Sequence, residues 1–199
     1  MNNAGTDEAD TWSRARDGDP EAFTSLFDTH RDRVFGHALR LVRQPHDAED
    51  VTAMVFLEAW RRRDAVRVVD GSIIAWLLVT ANNTVHNLER SRRRHREALA
   101  RMPEPAHQPD HADGVAEDLD TRERDRRVRD AFGTLSTADQ NVITLCVLEE
   151  LPLADAARTL GVPVGTVKSR LSRAKRRLGD LALELLADPA QSVLEGGAE

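Results

Sequence analysis

Apolar positions recur at helical spacing along two stretches of the chain. In the first stretch, Asp19-Pro20-Glu21 predicts the start of a helix, because Asp caps a helix and Pro fits its first position. Its apolar positions are Phe23, Leu26, Phe27, Val34, Ala38, Leu41 and Val42, and Pro45 ends the run. A second helix then carries its apolar face on Ala48, Val51, Thr52, Val55, Phe56, Ala59 and Trp60.

A third helix is predicted from about Ile73 to Arg94, after a loop at Asp70-Gly71-Ser72. Its first turns are apolar on nearly every side, and its later turns become polar and then basic. Such a pattern is typical of a helix that begins inside a core and emerges at a surface.

The second stretch predicts a helix-turn-helix. After a helix near 124–135, Ser136 is the expected N-cap of the next helix, with Asp139 three residues further on. Pro152 opens a short helix that Gly161 ends. A final helix carries a narrow apolar stripe of Val167, Leu171, Ala174 and Leu178. Two short helices joined by a tight turn, the second strongly basic, are typical of helix-turn-helix motifs.

The segment 101–121 separates these two stretches. It carries three prolines, and no Lys or Arg lies between Pro103 and Asp120, where there are six acids. Few of its residues are apolar, so we expect a flexible acidic linker. The predicted fold class is therefore all-α, with two small helical domains at 10–100 and 122–186, the linker between them, and a disordered tail at 187–199.

Composition excludes several classes of protein. The chain of 199 residues is 40% hydrophobic and 31% charged, and its apolar runs are too short for a membrane span. Met1 to Asp10 is acidic and polar, which predicts no secretory signal peptide. A lone Cys146 excludes an internal disulfide framework. We therefore expect a cytoplasmic protein without membrane insertion.

Positive charge is concentrated in two blocks, although 28 Lys and Arg against 34 Asp and Glu give a net charge of −6. The first block lies at 90–96 and the second at 168–177, and no acid occurs from Val164 to Leu178. This segregation indicates two localised anion-binding surfaces. The alternative is that both blocks are solvated helix faces.

The final helix is predicted to enter the major groove of DNA, which admits one helix with its first residues near the base edges. At about 100° per residue, its polar face lies opposite the apolar stripe. We expect Lys168, Ser169, Ser172 and Arg173 to face the groove, Arg170 and Arg176 to contact phosphates, and Thr166 to lie at the edge of this face. The alternative is a basic helix that docks on an acidic partner.

Both stretches resemble the extracytoplasmic-function (ECF) sigma factors, the small sigma subunits of bacterial RNA polymerase. Leu153 to Leu178, and above all the run Gly165-Thr-Val-Lys-Ser-Arg-Leu171, is similar to their region 4. The residues that resemble region 2 are Asp47-Ala-Glu-Asp-Val51, Phe56 and Ala59-Trp60 in its clamp-binding segment, and Ala75-Trp76-Leu77, Ala81 and Asn83 in its promoter-melting segment. The two resemblances follow each other in the family's order.

The resemblance implies a transcription initiation factor and not an enzyme. Region 4 would lie on the flap of the β subunit of core RNA polymerase and read the duplex −35 element of promoter DNA. Region 2 would bind the clamp of the β′ subunit through Asp47, Glu49, Asp50 and Met54. Its third helix would capture unpaired bases of the −10 element through Asn82, Asn83, His86, Asn87, Arg90 and Arg93. The family also implies an anti-sigma factor that covers both domains.

Elementary chemistry agrees with the −10 assignment, since amide side chains can pair with the edges of exposed bases and arginines can hold the adjacent backbone. The family places a specificity loop before this helix, here at about Val68–Ser72. The chain departs from the family pattern at three points: Ala53-Met54 replaces a common Gln-acid pair, Asn82 a common Arg, and Asn87 a frequent Asp. The first departure changes the clamp-binding segment, whereas the departures at Asn82 and Asn87 predict an unusual −10 preference.

An enzyme is the main rival from another class. The chain has seven His, but His30 and His37 occupy positions of a core repeat, and His107 and His111 straddle Pro109. No HExxH motif, cysteine pair or glycine-rich phosphate loop occurs. We therefore predict no catalytic residues, no metal and no cofactor, and Cys146 as a small core residue.

A helix-turn-helix regulator is the second rival, because such a protein would bind duplex DNA alone, as a dimer on two half-sites. The segment that resembles region 2 argues against it. A third alternative is a pure interaction protein such as a sigma antagonist, but that function conflicts with two basic surfaces suited to DNA. Promoter-specific transcription by core polymerase separates a sigma factor from a regulator.

Overall fold

A computed structural model describes residues 3–42, 44–99 and 129–187. The helices named here are α1 (Asn3–Arg16), α2 (Pro20–Leu41), α3 (Pro45–Arg61), α4 (Ile74–Leu99), α5 (Thr137–Ile143), α6 (Leu153–Leu160) and α7 (Val164–Ala187). Residues 129–133 are also helical, and a π-helical segment, Thr144–Leu148, continues α5. No strand occurs in these ranges, which confirms the all-α fold. The predicted linker, and the predicted tail beyond Ala187, lie outside the described residues.

Helices α1 to α4 form the first half of the molecule and share one apolar core. Its large, fully buried side chains are Leu26, Val34, Val51, Val55, Leu77 and Leu78. Aromatic rings close one side of it, with Phe27 edge-on to Phe56 at 4.7 Å between centroids. This geometry is preferred because the positive ring edge meets the negative ring face.

Helix α1 is the element that the apolar pattern did not predict. The first domain was expected to begin near residue 10, but α1 begins at Asn3. Trp12 and Ala15 on α1 are buried in the first core, with Trp12 only 3% exposed. The first half therefore includes residues before position 10, a segment that the sequence showed only as acidic and polar.

The helix caps follow the predicted chemistry. Asp19 Oδ1 accepts hydrogen bonds from the backbone N–H groups of Glu21 and Ala22 at 2.9 and 3.1 Å, which confirms Asp19 as the N-cap of α2. Pro45 both follows the end of α2 and occupies the first turn of α3.

Helices α5 to α7 form the second half. Ser136 caps α5, because its Oγ accepts from the backbone N–H of Asp139 at 3.2 Å. Helix α6 ends at Gly161, whose φ of 67° is the left-handed conformation that glycine adopts without strain. The predicted apolar stripe of α7 packs inside, with Val167 and Ala174 buried. The helix-turn-helix expected from the sequence is therefore present.

Helix α4 belongs to both halves. Leu77, Leu78 and Ala81 point into the first core, whereas Ala75 is buried among the apolar residues of the second half. This double packing explains why the early turns of α4 are apolar on nearly every side.

Candidate nucleic-acid interface

Helix α7 presents a basic face to solvent because its apolar stripe is buried in the second half. The residues predicted to contact DNA that are exposed are Lys168, Ser169, Ser172, Arg173 and Arg176. Thr166 and Arg170 are half-buried at the border of this face. At about 100° per residue, the seven predicted residues of α7 thus span about 200° of the helix surface, all of it outside the buried apolar stripe.

Gly165 lies in the first turn of α7 in open space. Among the described residues, no heavy atom comes within 4 Å of the place where a Cβ would stand. Packing therefore does not require glycine here, and the missing side chain leaves the helix start open to close approach by a ligand.

The residues predicted to contact the −10 element lie on one face of α4. With about 100° of rotation per residue, that face is about 140° wide. Asn83, His86, Asn87, Arg90 and Arg93 are exposed on it. His86, Arg90 and Arg93 line a cleft of about 1040 Å³ between the two halves, and Arg129 adds a further arginine from the second half. This cleft is a basic surface, although the whole chain is acidic.

Asn82 differs from the other five predicted residues of α4, because only 1% of it is exposed. Its Oδ1 lies 2.9 Å from His37 Nε2. Its Nδ2 donates to Asn141 Oδ1 at 2.9 Å and to Thr144 Oγ1 at 3.0 Å. The amide is thus fully engaged within the protein, and Asn82 cannot pair with a base while the halves lie together.

His37 holds the other end of this amide. Since Asn82 Oδ1 only accepts, the His37 ring carries its proton on Nε2. Burial lowers the pKa of His37 to about 4, an effect that the hydrogen bond to Asn82 opposes and the charge of Arg40 reinforces. The ring is therefore neutral at neutral pH.

The four residues predicted to contact polymerase divide into two groups. Asp47 is buried, and both of its carboxylate oxygens accept from the Arg92 guanidinium, whose hydrogen bonds hold the pKa of Asp47 below its usual range. Glu49, Asp50 and Met54 are exposed on α3. The structure therefore uses Asp47 to tie the start of α3 to α4 and leaves the other three free for a partner.

Glu8 organises the loop before α4. Its Oε1 accepts from His30 Nε2, from Ser72 Oγ and from the backbone N–H of Ile73, each at 2.8 Å. The loop itself is a tight turn in which Asp70 and Gly71 have φ of 52° and 74° and Val69 and Ser72 pair through their backbones. The predicted specificity loop is thus held at its base by a residue of α1.

Sequence reasoning missed Glu8, Asn141 and Thr144, and it also missed Arg67, which donates to the carbonyl of Arg158 in the second half at 2.6 Å. They act through contacts between distant parts of the chain, so spacing along one helix does not reveal them. The one related signal in the sequence is that the first turns of α4 are apolar on nearly every side, which is expected of a helix that packs against more than one partner.

Other kinds of site find no support in the part of the chain that the structure describes. No group of three or more His, Cys, Asp or Glu is arranged to hold a metal ion. No described helix is both long and apolar enough to cross a membrane. Cys146 is half-buried, and burial raises the pKa of its thiol, which disfavours the reactive thiolate.

Comparison with known proteins agrees with this geometry. The family described as sigma-70 region 2 matches residues 26–95, and sigma-70 region 4 matches residues 125–178. The fold is similar to that of CnrH, solved in complex with the cytosolic domain of CnrY, with a TM-score of 0.61, 24% identity, and coverage of 92% of this chain and 99% of that one. It is also similar to the sigma factor RpoE of Bartonella quintana, solved with the anti-sigma factor NepR, with a TM-score of 0.54, 26% identity, and coverage of 84% and 98%.

The two family matches coincide with the helical bundle and with the helix-turn-helix, so the chain is a sigma factor with regions 2 and 4. The ECF RNA polymerase sigma factor SigK of Mycobacterium sp. (strain KMS) is 31% identical over 153 residues, which cover 77% of this chain and 79% of that protein. The chain belongs to the ECF sigma factors, which are non-enzymatic factors that direct RNA polymerase to specific promoters. The first half is called region 2 below and the second half region 4.

Proposed function

We propose that this sigma factor divides promoter recognition between α7, which reads the −35 element as duplex, and α4, which captures the unpaired −10 strand. The observation that carries the proposal is the presence of two exposed basic faces, one in each region, on a chain of net negative charge. Charge placed in this way directs two surfaces to DNA without making the whole protein a polycation.

Helix α7 has the geometry of a major-groove helix. Lys168, Ser169, Ser172 and Arg173 are its groove-facing residues, and Arg173 is suited to a bidentate contact with a guanine. Arg170, Arg176 and Thr166 flank them and contact the phosphates, which fixes the register of the helix on the duplex.

Helix α4 has the composition of a surface for single-stranded DNA. Asn82, Asn83 and Asn87 supply amides for base edges, and His86 supplies a ring for stacking or hydrogen bonding. Arg90 and Arg93 follow them and hold the phosphates of the same strand. Asn82 joins this set only when region 4 moves away from it.

The polymerase contact is assigned to the exposed face of α3. Glu49 and Asp50 provide charge, and Met54 provides apolar surface next to Leu57, a large residue that is 57% exposed. An exposed apolar patch edged by charge is typical of a protein-binding surface. We assign this face to the clamp of β′ and region 4 to the flap of β, in the cytoplasm where core polymerase works.

An anti-sigma factor is the proposed inhibitory partner. RpoE of Bartonella quintana is recorded in complex with the anti-sigma factor NepR, and this chain is 26% identical to that sigma factor. A partner that covers both basic faces would prevent the chain from engaging DNA.

Duplex and pre-melted versions of one promoter test the division between α4 and α7. We expect Asn83→Ala to slow open-complex formation on the duplex more than on a template with a pre-melted −10 bubble. Arg173→Ala should be equally defective on both templates, and should lose about 1–3 kcal/mol at the cognate −35 sequence. Equal defects of Asn83→Ala on both templates would contradict the melting role of α4.

A further inference from the structure

Region 2 and region 4 meet at a built interface, called here the closed interface, with α4 on one side and α5, α6 and the π-helical segment on the other. Its apolar part is made by Ala75, which is buried against Val142, Leu145 and neighbouring residues of region 4. Val79 packs beside it. Ala75, Val79 and Asn82 have the spacing of one helix stripe, so α4 offers region 4 a continuous face.

The polar centre of the closed interface is Asn82. Region 4 supplies two acceptors to its Nδ2, Asn141 Oδ1 and Thr144 Oγ1, while region 2 holds its Oδ1 through His37. All four side chains are buried. If the amide lost these partners while it stayed buried, the unsatisfied polar groups would destabilise the interface. The network therefore favours one arrangement of the two regions.

Besides the hydrogen bond that Asn141 Nδ2 donates to Asn83 Oδ1 at 3.4 Å, two further polar contacts lie at the edges of the closed interface. Arg67 donates to the backbone carbonyls of Arg158 at 2.6 Å and Thr159 at 3.3 Å, where α6 ends. A cation is favoured there by the unpaired carbonyls of the last helical turn. The Arg67 guanidinium also comes within 2.6 Å of the place where a Cβ of residue 161 would stand, so Gly161 permits its approach. At another edge, Arg33 pairs with Glu149.

We propose that the Asn82 face of α4 has two mutually exclusive partners, namely region 4 of the same chain and the unpaired −10 strand. This inference rests on the proposed function of α4 and adds its regulation. The amide that would meet a base is the one that Asn141 and Thr144 occupy, so promoter capture requires the closed interface to open.

The chemistry of the closed interface suits a contact that must open. Its polar groups find water as a new partner after separation, so opening costs much less than exposing an apolar core of the same size. The apparent affinity for DNA is the affinity of the open form multiplied by the fraction of molecules that are open, since only the open form presents Asn82.

Energy transfer between two labels tests the closed interface on the full-length chain. Ser25 on α2 and Ala154 on α6 are exposed, so Ser25→Cys and Ala154→Cys in a Cys146→Ala background carry a donor and an acceptor. Thr144→Val removes one acceptor of Asn82 and keeps the side-chain shape. Arg67→Ala removes an edge contact at an exposed position, where folding is not at risk.

We expect high transfer in the unmodified chain and a roughly tenfold shift towards the open form in each variant, which corresponds to about 1.4 kcal/mol. The matched controls are Thr52→Val, whose buried hydroxyl donates to the backbone carbonyl of Ala48 within α3, and Arg61→Ala at the exposed end of α3. Both controls should leave the transfer unchanged. Addition of core polymerase with a pre-melted promoter should lower the transfer of the unmodified chain.

Low transfer in the free chain, or transfer that neither Thr144→Val nor Arg67→Ala changes, would overturn the closed interface whether or not the protein supports transcription. High transfer that persists in an active promoter complex would overturn the mutual exclusion. A chain that is closed in solution but directs no transcription would instead contradict the proposed function and leave the closed interface in place.

Discussion

Burial decides what individual polar residues of this protein do. Asn82 and Asn83 are neighbours of the same type, yet Asn82 is enclosed by region 4 and Asn83 is exposed. Asp47 and Asp50 differ in the same way, because Asp47 is paired with Arg92 while Asp50 faces solvent. The role of each residue therefore follows from its surroundings more than from its type.

His37 gives a pH dependence that can be measured. Its pKa of about 4 in the folded protein lies below the ordinary value of 6.5, so protons bind the unfolded chain more readily. The free energy of unfolding should therefore be independent of this group above pH 7 and decrease by about 2 kcal/mol between pH 7 and pH 5. Urea unfolding at several pH values measures this loss.

His37→Gln should remove that decrease, and His46→Gln should keep it because His46 is exposed in the first turn of α3. The range above pH 5 avoids the loss from Glu8, which sets in below its ordinary value of 4.5. The same pH dependence in His37→Gln as in the unmodified chain would show that another group causes it.

Variants of Asp47 and Asp50 should have different effects, one on stability and the other on polymerase binding. Asp47→Ala should lower the melting temperature, because it leaves Arg92 without its carboxylate partner. Asp50→Ala should leave the melting temperature unchanged and weaken binding to core polymerase several-fold. Calorimetry and a polymerase pull-down with purified core measure the two effects. Loss of polymerase binding by Asp47→Ala at unchanged stability would contradict this division.

At the scale of elements, α1 holds α2 and the start of α4 together through one carboxylate. Burial alone would raise the pKa of Glu8, but hydrogen bonds from His30, the Ile73 N–H and Ser72 keep it below the usual range. A lowered pKa means that the contribution of Glu8 to stability is present above pH 4.5 and is lost as the pH falls through its folded pKa.

Glu8→Gln should destabilise the protein by about 2 kcal/mol, because hydrogen bonds to a charged acceptor are stronger than those to an amide. For a domain of this size that corresponds to a melting temperature lower by about 6 °C. Asp10→Asn, at an exposed position of the same helix, is the matched control and should change nothing. A melting temperature equal to that of the control would exclude Glu8 as the link between α1 and α4.

At the scale of the whole molecule, the two regions lie against each other in the structure, whereas the proposed function places them on separate elements of promoter DNA. Helix α4 is the shared part, with one face in the core of region 2 and another in the core of region 4. Region 4 therefore covers Asn82 and leaves the other five predicted −10 residues of α4 exposed, so the proposed opening concerns the Asn82 face alone.

Most features that depend on the residues of a single helix could be predicted from the sequence. The stripe of Val167 and Ala174, the cap at Asp19 and the stop at Gly161 all follow from helical spacing and backbone preference, and all were confirmed. The contact between Asn82 and Asn141 joins residues 59 positions apart through polar groups that have no periodicity. Helix α1 was missed because few of its residues besides Trp12 and Ala15 are apolar.

The central claim is that this chain brings core RNA polymerase to a promoter by reading its two elements. The most direct test is run-off transcription by sigma-free core polymerase on a template whose start site has been mapped after overexpression of the chain. We expect one discrete transcript from that start when the chain is added, lost with Arg173→Ala and retained with Arg31→Ala at an exposed position of α2. A purified, folded chain that does not associate with core polymerase, or that binds the promoter without yielding the transcript, would contradict it.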